Sequence, residues 1–235
     1  MSSSQNKPVL KLDWCSYEAA KWAVEHWHYS KSMPKSKLAK VGVWEDNIFI
    51  GAVIFGVGAT KDIVAPYGLK PIEGCELVRV ALRKHETPVS RIVAIALKML
   101  KKAMTGLRLV VSFADPEHGH VGSIYQAGGW IYTGCSMSGD EYIVNGKRWH
   151  GRALRHEKPA HLTTKQAAAV LDPNFQTIKG SSKHRYLYPL DAAMRAQIAP
   201  LAKPYPKRAV VVQAVEQPRP SADGVAERPD RSRIA

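Results

Sequence analysis

The chain has 235 residues, a length that fits one sizeable domain with extensions. Its hydrophobic content of 45% is enough to build a buried core, so most of the chain is expected to fold. The formal charge of +14 at pH 7 favours a polyanionic partner, with a merely soluble basic protein as the alternative.

The three cysteines, Cys15, Cys75 and Cys135, are widely spaced and form no CxxC pair. This pattern supports neither a zinc ribbon nor a disulfide framework, and it suits a reducing cytoplasm. The first residues lack an apolar signal core, and no run approaches the roughly 18 apolar residues of a membrane span. We therefore expect a soluble intracellular protein with no membrane partner.

The first third of the chain predicts a strand, a helix and a hairpin. Residues 8–14 alternate apolar and polar side chains, as a strand does. Ser16 is a typical helix cap for the segment that ends near Tyr29. Residues 40–58 contain two β-rich runs that meet at Asp46 and Asn47, which predicts a hairpin.

The central segment predicts a strand, a long helix and a second strand. Residues 75–83 have strand character, and Pro88 is suited to a first helical turn. The helix that follows places one apolar face toward the core, made of Val89, Ile92, Val93, Ala96, Leu97, Leu100 and Met104. Residues 107–115 are almost continuously apolar, which indicates a strand covered on both faces.

The remaining segments complete the prediction of an α/β fold with a central mixed sheet flanked by helices. A short helix at 122–128, a strand at 130–137 and a hairpin turning at Asn145 and Gly146 follow in order. Residues 1–158 are predicted to form the catalytic domain. Residues 159–209 are predicted to form a helical and basic extension, and residues 210–235 a disordered tail.

The sequence SFADPEHGHVGSIYQAGGW, residues 112–130, carries the strongest indication of chemistry. The preceding strand brings Ser112 and Asp115 to its carboxyl end, where ligands bind in open α/β sheets. A carboxylate, a hydroxyl and the phenol of Tyr125 at this edge are sufficient for acid–base chemistry. The alternative is structural, with Asp115 capping the turn and Tyr125 in the core.

His118 and His120 lie two residues apart in the same stretch. That spacing suits metal binding from a loop, but it dictates no third ligand, so an exposed pair of loop histidines is the alternative.

Two further segments have the composition of a nucleic-acid surface. In residues 25–37, His28 and Tyr29 end the first helix and precede a basic, hydroxyl-rich loop, although solvated lysines would give the same pattern. In residues 145–158 and 179–189 basic residues are mixed with aromatic ones, which suits phosphate contacts and base stacking. The candidate DNA-binding residues are Ser30, Lys31, Lys35, Lys37, Lys147, Arg148, Trp149, Arg152, Lys183 and Arg185.

The runs CELVRVALR, LRLVVSFAD and IYQAGGW, with the helix between the first two, resemble the core of the Gcn5-related N-acetyltransferase fold. In that fold the helical tyrosine often serves as general acid, which implies this role for Tyr125. An acidic residue on the earlier strand is often the general base, which implies Glu76.

A closer resemblance is carried by HYSKSMP, GVWEDNIFIGAVIFGVGA, CELVRVALRKHETPVSRI, SFADPEHGH and GSIYQAGGWIYTG. From about residue 8 to about residue 158, the chain resembles the Mom DNA-modification proteins of Mu-like bacteriophages. The resemblance implies conversion of the adenine exocyclic amine in DNA to a carbamoylmethyl derivative, which shields phage DNA from host restriction in the bacterial cytoplasm. It implies catalytic roles for His28, Tyr29, Ser112, Asp115 and Tyr125.

The donor is left open by one departure from the acetyltransferase pattern. The resemblance implies cofactor contacts at Val80, Leu82, Val89, Ser90 and Arg91, yet the loop RKHETPVSRI lacks the glycines of a coenzyme A cradle. Acetyl-CoA and an aminoacyl-tRNA such as glycyl-tRNA both remain candidate donors, with coenzyme A or tRNA as the corresponding partner. Iron is associated with the family, which makes His28, His118 and His120 candidate ligands.

For the mechanism, the sequence suggests that Asp115 accepts the amine proton while Tyr125 protonates the leaving group. His28 would orient the base or bind a metal, and Trp27, Tyr29 and Tyr132 are candidates for stacking on an extruded adenine. Two rival hypotheses are an acetyl-CoA-dependent acetyltransferase acting on a small amine or protein, and a noncatalytic DNA-binding protein. A homodimer is also left open.

Overall fold

The computed structural model describes residues 7–58, 62–151, 154 and 161–207. Arg152 and the predicted tail at 210–235 lie outside these residues. Within these residues the strands, β1 to β10, are Leu10–Trp14, Leu38–Glu45, Ile48–Gly56, Gly74–Leu82, Leu109–Ala114, Ile131–Cys135, Asp140–Val144, Lys147–His150, Gln176–Lys179 and His184–Pro189. The α-helices whose bounds are described, α1 to α5, are Tyr17–Trp27, Val89–Ala103, Ser123–Ala127, Thr164–Leu171 and Ala192–Ile198.

Seven strands form one mixed sheet in the order β1-β2-β3-β4-β5-β10-β6. Every neighbouring pair is antiparallel except β4 and β5, which run parallel. A smaller sheet has the order β8-β7-β9. The predicted mixed sheet flanked by helices is therefore confirmed, as are the cap at Ser16 and the hairpins at Asp46–Asn47 and Asn145–Gly146.

The two faces of the large sheet carry different helices. Apolar residues of α2, including Ile92, Leu97 and Leu100, pack with one face of the sheet. Helix α1 packs on the opposite face against Ala52, Ile54 and Ala81, and α5 packs on that second face near β5 and β10. Because β5 is covered on both sides, its continuous apolar run is explained.

The segment after residue 158 contributes to the same sheet. Strand β10 lies between β5 and β6, with Tyr186 opposite both Ser112 and Tyr132. The sequence predicts a separate extension here, because the stretch is rich in basic residues. The pairing of β10 was not predicted, because its partner strands are distant in sequence. Residues 184–189 instead complete the sheet that carries the predicted catalytic edge.

The face predicted for α2 is correct except at its end. Met104 is 45% exposed, because it is the C-cap residue and lies beyond the last helical turn that packs on the sheet. Among the described residues, no helix is both long and apolar enough to cross a bilayer.

The loop between β5 and α3 depends on glycine at residue 122. Gly122 has φ of +77°, and a Cβ there would lie 2.3 Å from a ring carbon of Tyr186. We expect Gly122→Ala to lower the free energy of unfolding by about 2–4 kcal/mol, through backbone strain and the clash together. Chemical denaturation measures this change.

Gly119 supplies the control for that substitution. It has a similar φ of +69°, but a Cβ there would meet nothing within 4 Å. Gly119→Ala should therefore cost only the strain, about 1–2 kcal/mol. Equal losses for the two variants would contradict the proposed packing of Tyr186 on Gly122.

Candidate active site

The candidate site lies where β4 and β5 stop pairing. Their parallel ladder ends with Glu76 opposite Val111, although β4 continues to Leu82 and β5 to Ala114. The Ser112 Oγ donates a hydrogen bond of 2.9 Å to the Leu77 carbonyl, just beyond the last ladder pair. This hydroxyl therefore satisfies a backbone acceptor at the point where the strands separate.

Tyr125 lies against this hydroxyl. Its Oη is 2.7 Å from Ser112 Oγ, and its ring packs on those of Trp130 and Tyr186. Because the Leu77 carbonyl can only accept, the single hydroxyl hydrogen of Ser112 points to that carbonyl. Tyr125 is therefore the donor in its hydrogen bond with Ser112 Oγ. The structure thus brings two of the predicted catalytic side chains into direct contact.

Burial raises the pKa of the Tyr125 phenol to about 12. The hydrogen bond with Ser112 opposes this rise, whereas nearby Tyr29, Glu76 and Tyr186 add to it. The phenol therefore keeps its proton at neutral pH, which is the protonation state that a general acid requires.

Glu76 occupies the other face of the sheet. It pairs with Val111, the residue before Ser112, and side chains alternate between faces along a strand. A Cβ at Gly58 would lie 3.1 Å from Glu76 Oε2, so the carboxylate is close to the end of β3. The general-base role implied for Glu76 stays a prediction.

His28 is held in one tautomer by the loop that follows it. The Ser30 backbone N–H donates to His28 Nδ1 at 3.1 Å, so that nitrogen carries a lone pair and the proton lies on Nε2. The Ser30 hydroxyl also lies 2.9 Å from Nδ1. His28 therefore presents an N–H donor at Nε2, whereas metal binding there would require the opposite tautomer.

The pKa of His28 also favours the neutral imidazole. Burial, followed by the positive charges of Arg79, His120, His118 and Lys31, lowers the pKa of His28 to about 4. The imidazole is therefore neutral at physiological pH, and a purine nitrogen or carbonyl is a suitable acceptor for its Nε2–H.

Tyr29 joins the end of α1 to the turn after β5. Its ring centroid lies 4.2 Å from that of His28, 4.4 Å from His118 and 5.4 Å from His120. The residue is 50% exposed, so one part of the ring remains accessible. Sequence segments about 90 residues apart therefore form one aromatic surface beside Ser112 and Tyr125.

The part of the chain that the structure describes contains no metal centre at this aromatic surface. There, no group of three His, Cys, Asp or Glu side chains is arranged to hold a metal ion. The centroids of His118 and His120 are 6.4 Å apart, and the Tyr29 ring contacts both. These residues do not fit the iron site that the resemblance implies.

Asp115 is engaged by its neighbours. One oxygen accepts from the Glu117 backbone N–H at 3.1 Å and from Ser181 Oγ at 3.3 Å, and the other lies 3.0 Å from Lys183 Nζ. Burial alone would raise the carboxyl pKa, but the hydrogen bond and charge of Lys183 outweigh it and lower the pKa. This geometry matches the capping role left open by the sequence, and no described hydrogen bond joins Asp115 to Tyr125.

The predicted cofactor residues lie along β4 and at the start of α2. Val80, Leu82 and Val89 are partly buried and pack on the main core. Ser90 is half-buried and Arg91 is exposed, and the Arg91 backbone N–H already donates to the Pro88 carbonyl at 2.9 Å. The helix start therefore keeps fewer free amides than the sequence suggests.

Glu45 is a site residue that sequence reasoning missed. Its carboxylate accepts the Thr87 backbone N–H at 2.6 Å and the Glu86 backbone N–H at 3.1 Å. Glu45 is buried at the end of β2, and although burial favours a higher pKa, these hydrogen bonds lower it. A protein carboxylate thus occupies the loop in which acetyltransferases would hold a pyrophosphate. Coenzyme A does not fit this loop while the Glu45 carboxylate binds its amides.

The sequence signal for Glu45 is an acidic residue at the end of a β-rich run, next to the turn of a predicted hairpin. Nothing local in the sequence connects it to residues 86 and 87, which lie more than 40 positions later. Arg79 was missed for a similar reason, since its guanidinium reaches the Ser32 carbonyl at 3.4 Å across 47 residues.

The predicted DNA-binding residues divide into engaged and accessible groups. Arg148 pairs with Glu117 at 3.0 Å and also with Glu141, and Lys183 pairs with Asp115. Arg185 donates to Thr133 Oγ1 at 2.9 Å. The exposed group comprises Lys35, Lys37 and Lys147, with Lys147 over the ring of the half-buried Trp149. Lys31 is exposed as well, but its Nζ donates to the His26 carbonyl at 2.7 Å, and Ser30 is bound to His28.

These contacts place the turn at 116–120 between the two basic segments. Tyr29 reaches the turn from α1 through His118, and Arg148 reaches it from the small sheet through Glu117. The turn is therefore in contact with both basic segments.

Comparison with known proteins provides one family match. The Mom protein family model matches residues 9–207. Among solved structures, the chain is similar to that of FeeM, an N-acyl amino acid synthase from uncultured soil microbes, with 12% identity and a TM-score of 0.44. That match covers 85% of this chain and 99% of the FeeM chain. No curated protein matches the chain.

Proposed function

Since the chain belongs to the Mom protein family, we propose that it is a transferase that converts adenine in DNA to its N6-carbamoylmethyl derivative. In this role it would protect phage DNA from restriction in the cytoplasm of the bacterial host. The observation that carries the proposal is the Ser112–Tyr125 contact, a protonated phenol and a hydroxyl at the point where β4 and β5 separate. Such a pair suits proton transfer during group transfer to an amine.

The target amine has to leave the duplex. Extruding a base costs a few kcal/mol, and stacking and edge contacts in the protein recover that cost. Tyr29 is half-exposed beside His118, whereas Tyr132 is buried and Trp27 is partly covered by Trp22 and Arg83. Tyr29 is therefore our choice for the stacking residue, with the Nε2–H of His28 directed to an acceptor on the base.

The proton steps are assigned by the hydrogen bonds. Tyr125 keeps its proton and donates to Ser112, and passing a proton onward requires the Ser112 hydroxyl to turn from the Leu77 carbonyl toward the substrate. Asp115 is bound to Lys183 and to the Glu117 amide, so we assign it to positioning the turn that carries His118. This assignment replaces its role as acceptor of the amine proton, which passes to Glu76, the general base that the resemblance implies.

The donor is proposed from the loop before α2. Glu45 satisfies the amides of Glu86 and Thr87 and places a negative charge where a pyrophosphate would bind. An aminoacyl-tRNA such as glycyl-tRNA needs no pyrophosphate cradle, and its phosphates would suit the basic surface. It is therefore preferred to acetyl-CoA, and no step is assigned to iron.

Double-stranded DNA is the proposed macromolecular substrate. Lys31, Lys35, Lys37 and Lys147 are exposed in the two basic segments and are suited to phosphate contacts. Arg148, Lys183 and Arg185 are assigned to holding the site together, because each has a partner within the protein.

Restriction digestion tests this function. DNA from bacteria that produce the protein should resist cleavage by enzymes whose recognition sequence contains adenine. Enzymes that recognise only G and C provide the control and should cut the same DNA normally. Complete cleavage by both groups, with folded protein present, would favour the noncatalytic DNA-binding alternative.

A further inference from the structure

A second group of reactive side chains lies at the end of β6 and the beginning of β10. Cys135 Sγ is 3.6 Å from His184 Nδ1 and 3.7 Å from Tyr132 Oη. The same imidazole nitrogen is 3.0 Å from Tyr132 Oη. Cys135 is exposed, so a thiol, an imidazole and a phenol meet at a position that solvent reaches.

The strand register places this group on the same sheet as Ser112 and Tyr125. Ser112, Tyr186 and Tyr132 form one row across β5, β10 and β6, and Ala114, His184 and Cys135 form the next. With strands about 4.8 Å apart and a rise of about 3.4 Å per residue, Ser112 and Cys135 lie about 12 Å apart. That distance is short enough for one substrate to contact both.

An imidazole and an ammonium group lie near the thiol. The His184 imidazole is in contact with Cys135 Sγ. A Cβ at the adjacent Gly134 would lie 3.1 Å from Lys203 Nζ, so this ammonium also lies next to β6. Reactive cysteines occupy exposed positions beside such groups, as Cys135 does beside His184.

The other two cysteines provide a contrast within the same molecule. Cys75 is buried, and burial raises its thiol pKa to about 12. Cys15 is half-buried, and burial raises its pKa as well. Cys135 combines exposure with a neighbouring imidazole, which neither of the others has among the described contacts.

We propose that Cys135 is a nucleophile that accepts an acyl group from an activated ester or thioester, with His184 as its base and Tyr132 as a hydrogen-bond donor to the sulfur. The acceptance step concerns the protein alone, and the onward use of the acyl group rests on the proposed function. The site would allow the donor to be engaged without a coenzyme A cradle.

The step balances within these residues. His184 Nδ1 takes the thiol proton, and Sγ attacks the acyl carbonyl carbon to form a C–S bond. The bond from that carbon to the departing alcohol or thiol breaks, and the leaving group receives the proton from His184. Burial and the contact with Cys135 raise the pKa of Tyr132, so the phenol stays protonated and continues to donate.

Alkylation of the full-length protein tests the thiol. Wild-type protein, His184→Asn and Tyr132→Phe are treated with iodoacetamide, and each cysteine is followed by peptide mass spectrometry. We expect Cys135 to react at least ten-fold faster than Cys15 and Cys75, and His184→Asn to slow Cys135 by about ten-fold. Tyr132→Phe should slow Cys135 less, because the imidazole remains. A Cys135 rate unchanged in both variants would overturn the proposal.

Acylation identifies the source of the group. The same proteins are incubated separately with acetyl-CoA, a thioester, and with glycyl-tRNA, an ester, and Cys135 is examined for the corresponding adduct. An adduct in wild-type protein that is lost in His184→Asn supports the proposal, and the reagent that forms it identifies the donor class. No adduct from either reagent would overturn it.

A DNA assay separates this inference from the proposed function. If Cys135→Ala abolishes adenine modification, the thiol lies on the reaction path. If Cys135→Ala modifies DNA as fast as wild-type protein, the onward transfer from Cys135 is excluded while the proposed function stands. If Cys135 is acylated in a protein that never modifies DNA, the proposal that Cys135 is a nucleophile stands. The proposal that DNA is the substrate is then rejected.

Discussion

Tyr125→Phe is expected to lower the rate of adenine modification by about 10²- to 10⁴-fold, the range that a positioned general acid contributes. The substitution removes the hydroxyl that donates to Ser112 Oγ and leaves the ring packed on Trp130. Ser112 retains its bond to the Leu77 carbonyl, so the loss of stability should be about 1 kcal/mol. The rate is measured by counting modified nucleosides over time.

Tyr186→Phe is the matched control for this variant. Tyr186 is a neighbouring buried tyrosine with its ring centroid 5.1 Å from that of Tyr125, and its hydroxyl donates to the Val121 carbonyl. Its removal should cost a similar amount of stability with at most a few-fold change in rate. Equal losses of activity in the two variants would assign Tyr125 a packing role.

Glu45→Gln is expected to have the largest effect on stability among the polar substitutions proposed here. The amide keeps the shape of the side chain, but its NH₂ group cannot accept the N–H of Thr87 or Glu86 that the carboxylate oxygen accepts. Leaving a buried donor without a partner should lower the free energy of unfolding by about 1–3 kcal/mol at pH 7. Urea denaturation measures this loss.

The pH dependence gives that prediction a second test. The folded state lowers the pKa of Glu45, so its stabilising effect is present above the unfolded pKa and disappears as the pH falls through the folded value. The difference between wild-type protein and Glu45→Gln should therefore shrink in acid. Glu25→Gln, on an exposed i,i+4 pair with Lys21, should change stability by less than about 0.5 kcal/mol. A pH-independent loss in Glu45→Gln would contradict the role of the carboxylate.

The periodicity of the sequence was sufficient for most of the framework. Helix α2 was predicted from apolar residues at helical spacing, and Ile92, Leu97 and Leu100 are buried as expected. Strand β5 was predicted from its continuous apolar run. Both signals are local, because they depend on residues within one element.

Strand β10 shows where that approach fails. Its residues are mostly basic and aromatic, which matches a nucleic-acid surface as well as a strand. Its place between β5 and β6 depends on pairing across about 70 and 50 residues, which no local pattern specifies.

The candidate site was predictable in the same uneven way. Ser112 and Tyr125 were assigned to one edge because a short loop connects their elements, and they are in contact. The ion pair of Asp115 with Lys183 was not predictable, because it requires the position of β10. Likewise, the surface of Tyr29 with His118 and His120 requires the packing of α1 on β3 and β4.

Nucleoside mass spectrometry tests the central claim most directly. DNA is taken from bacteria that produce either the wild-type protein or Tyr125→Phe at matched soluble levels, and it is digested to nucleosides. We predict a deoxyadenosine species heavier by a carbamoylmethyl group with wild-type protein, reduced at least a hundred-fold with Tyr125→Phe. Unmodified deoxyadenosine in both samples, or an acetyl mass instead, would contradict the account.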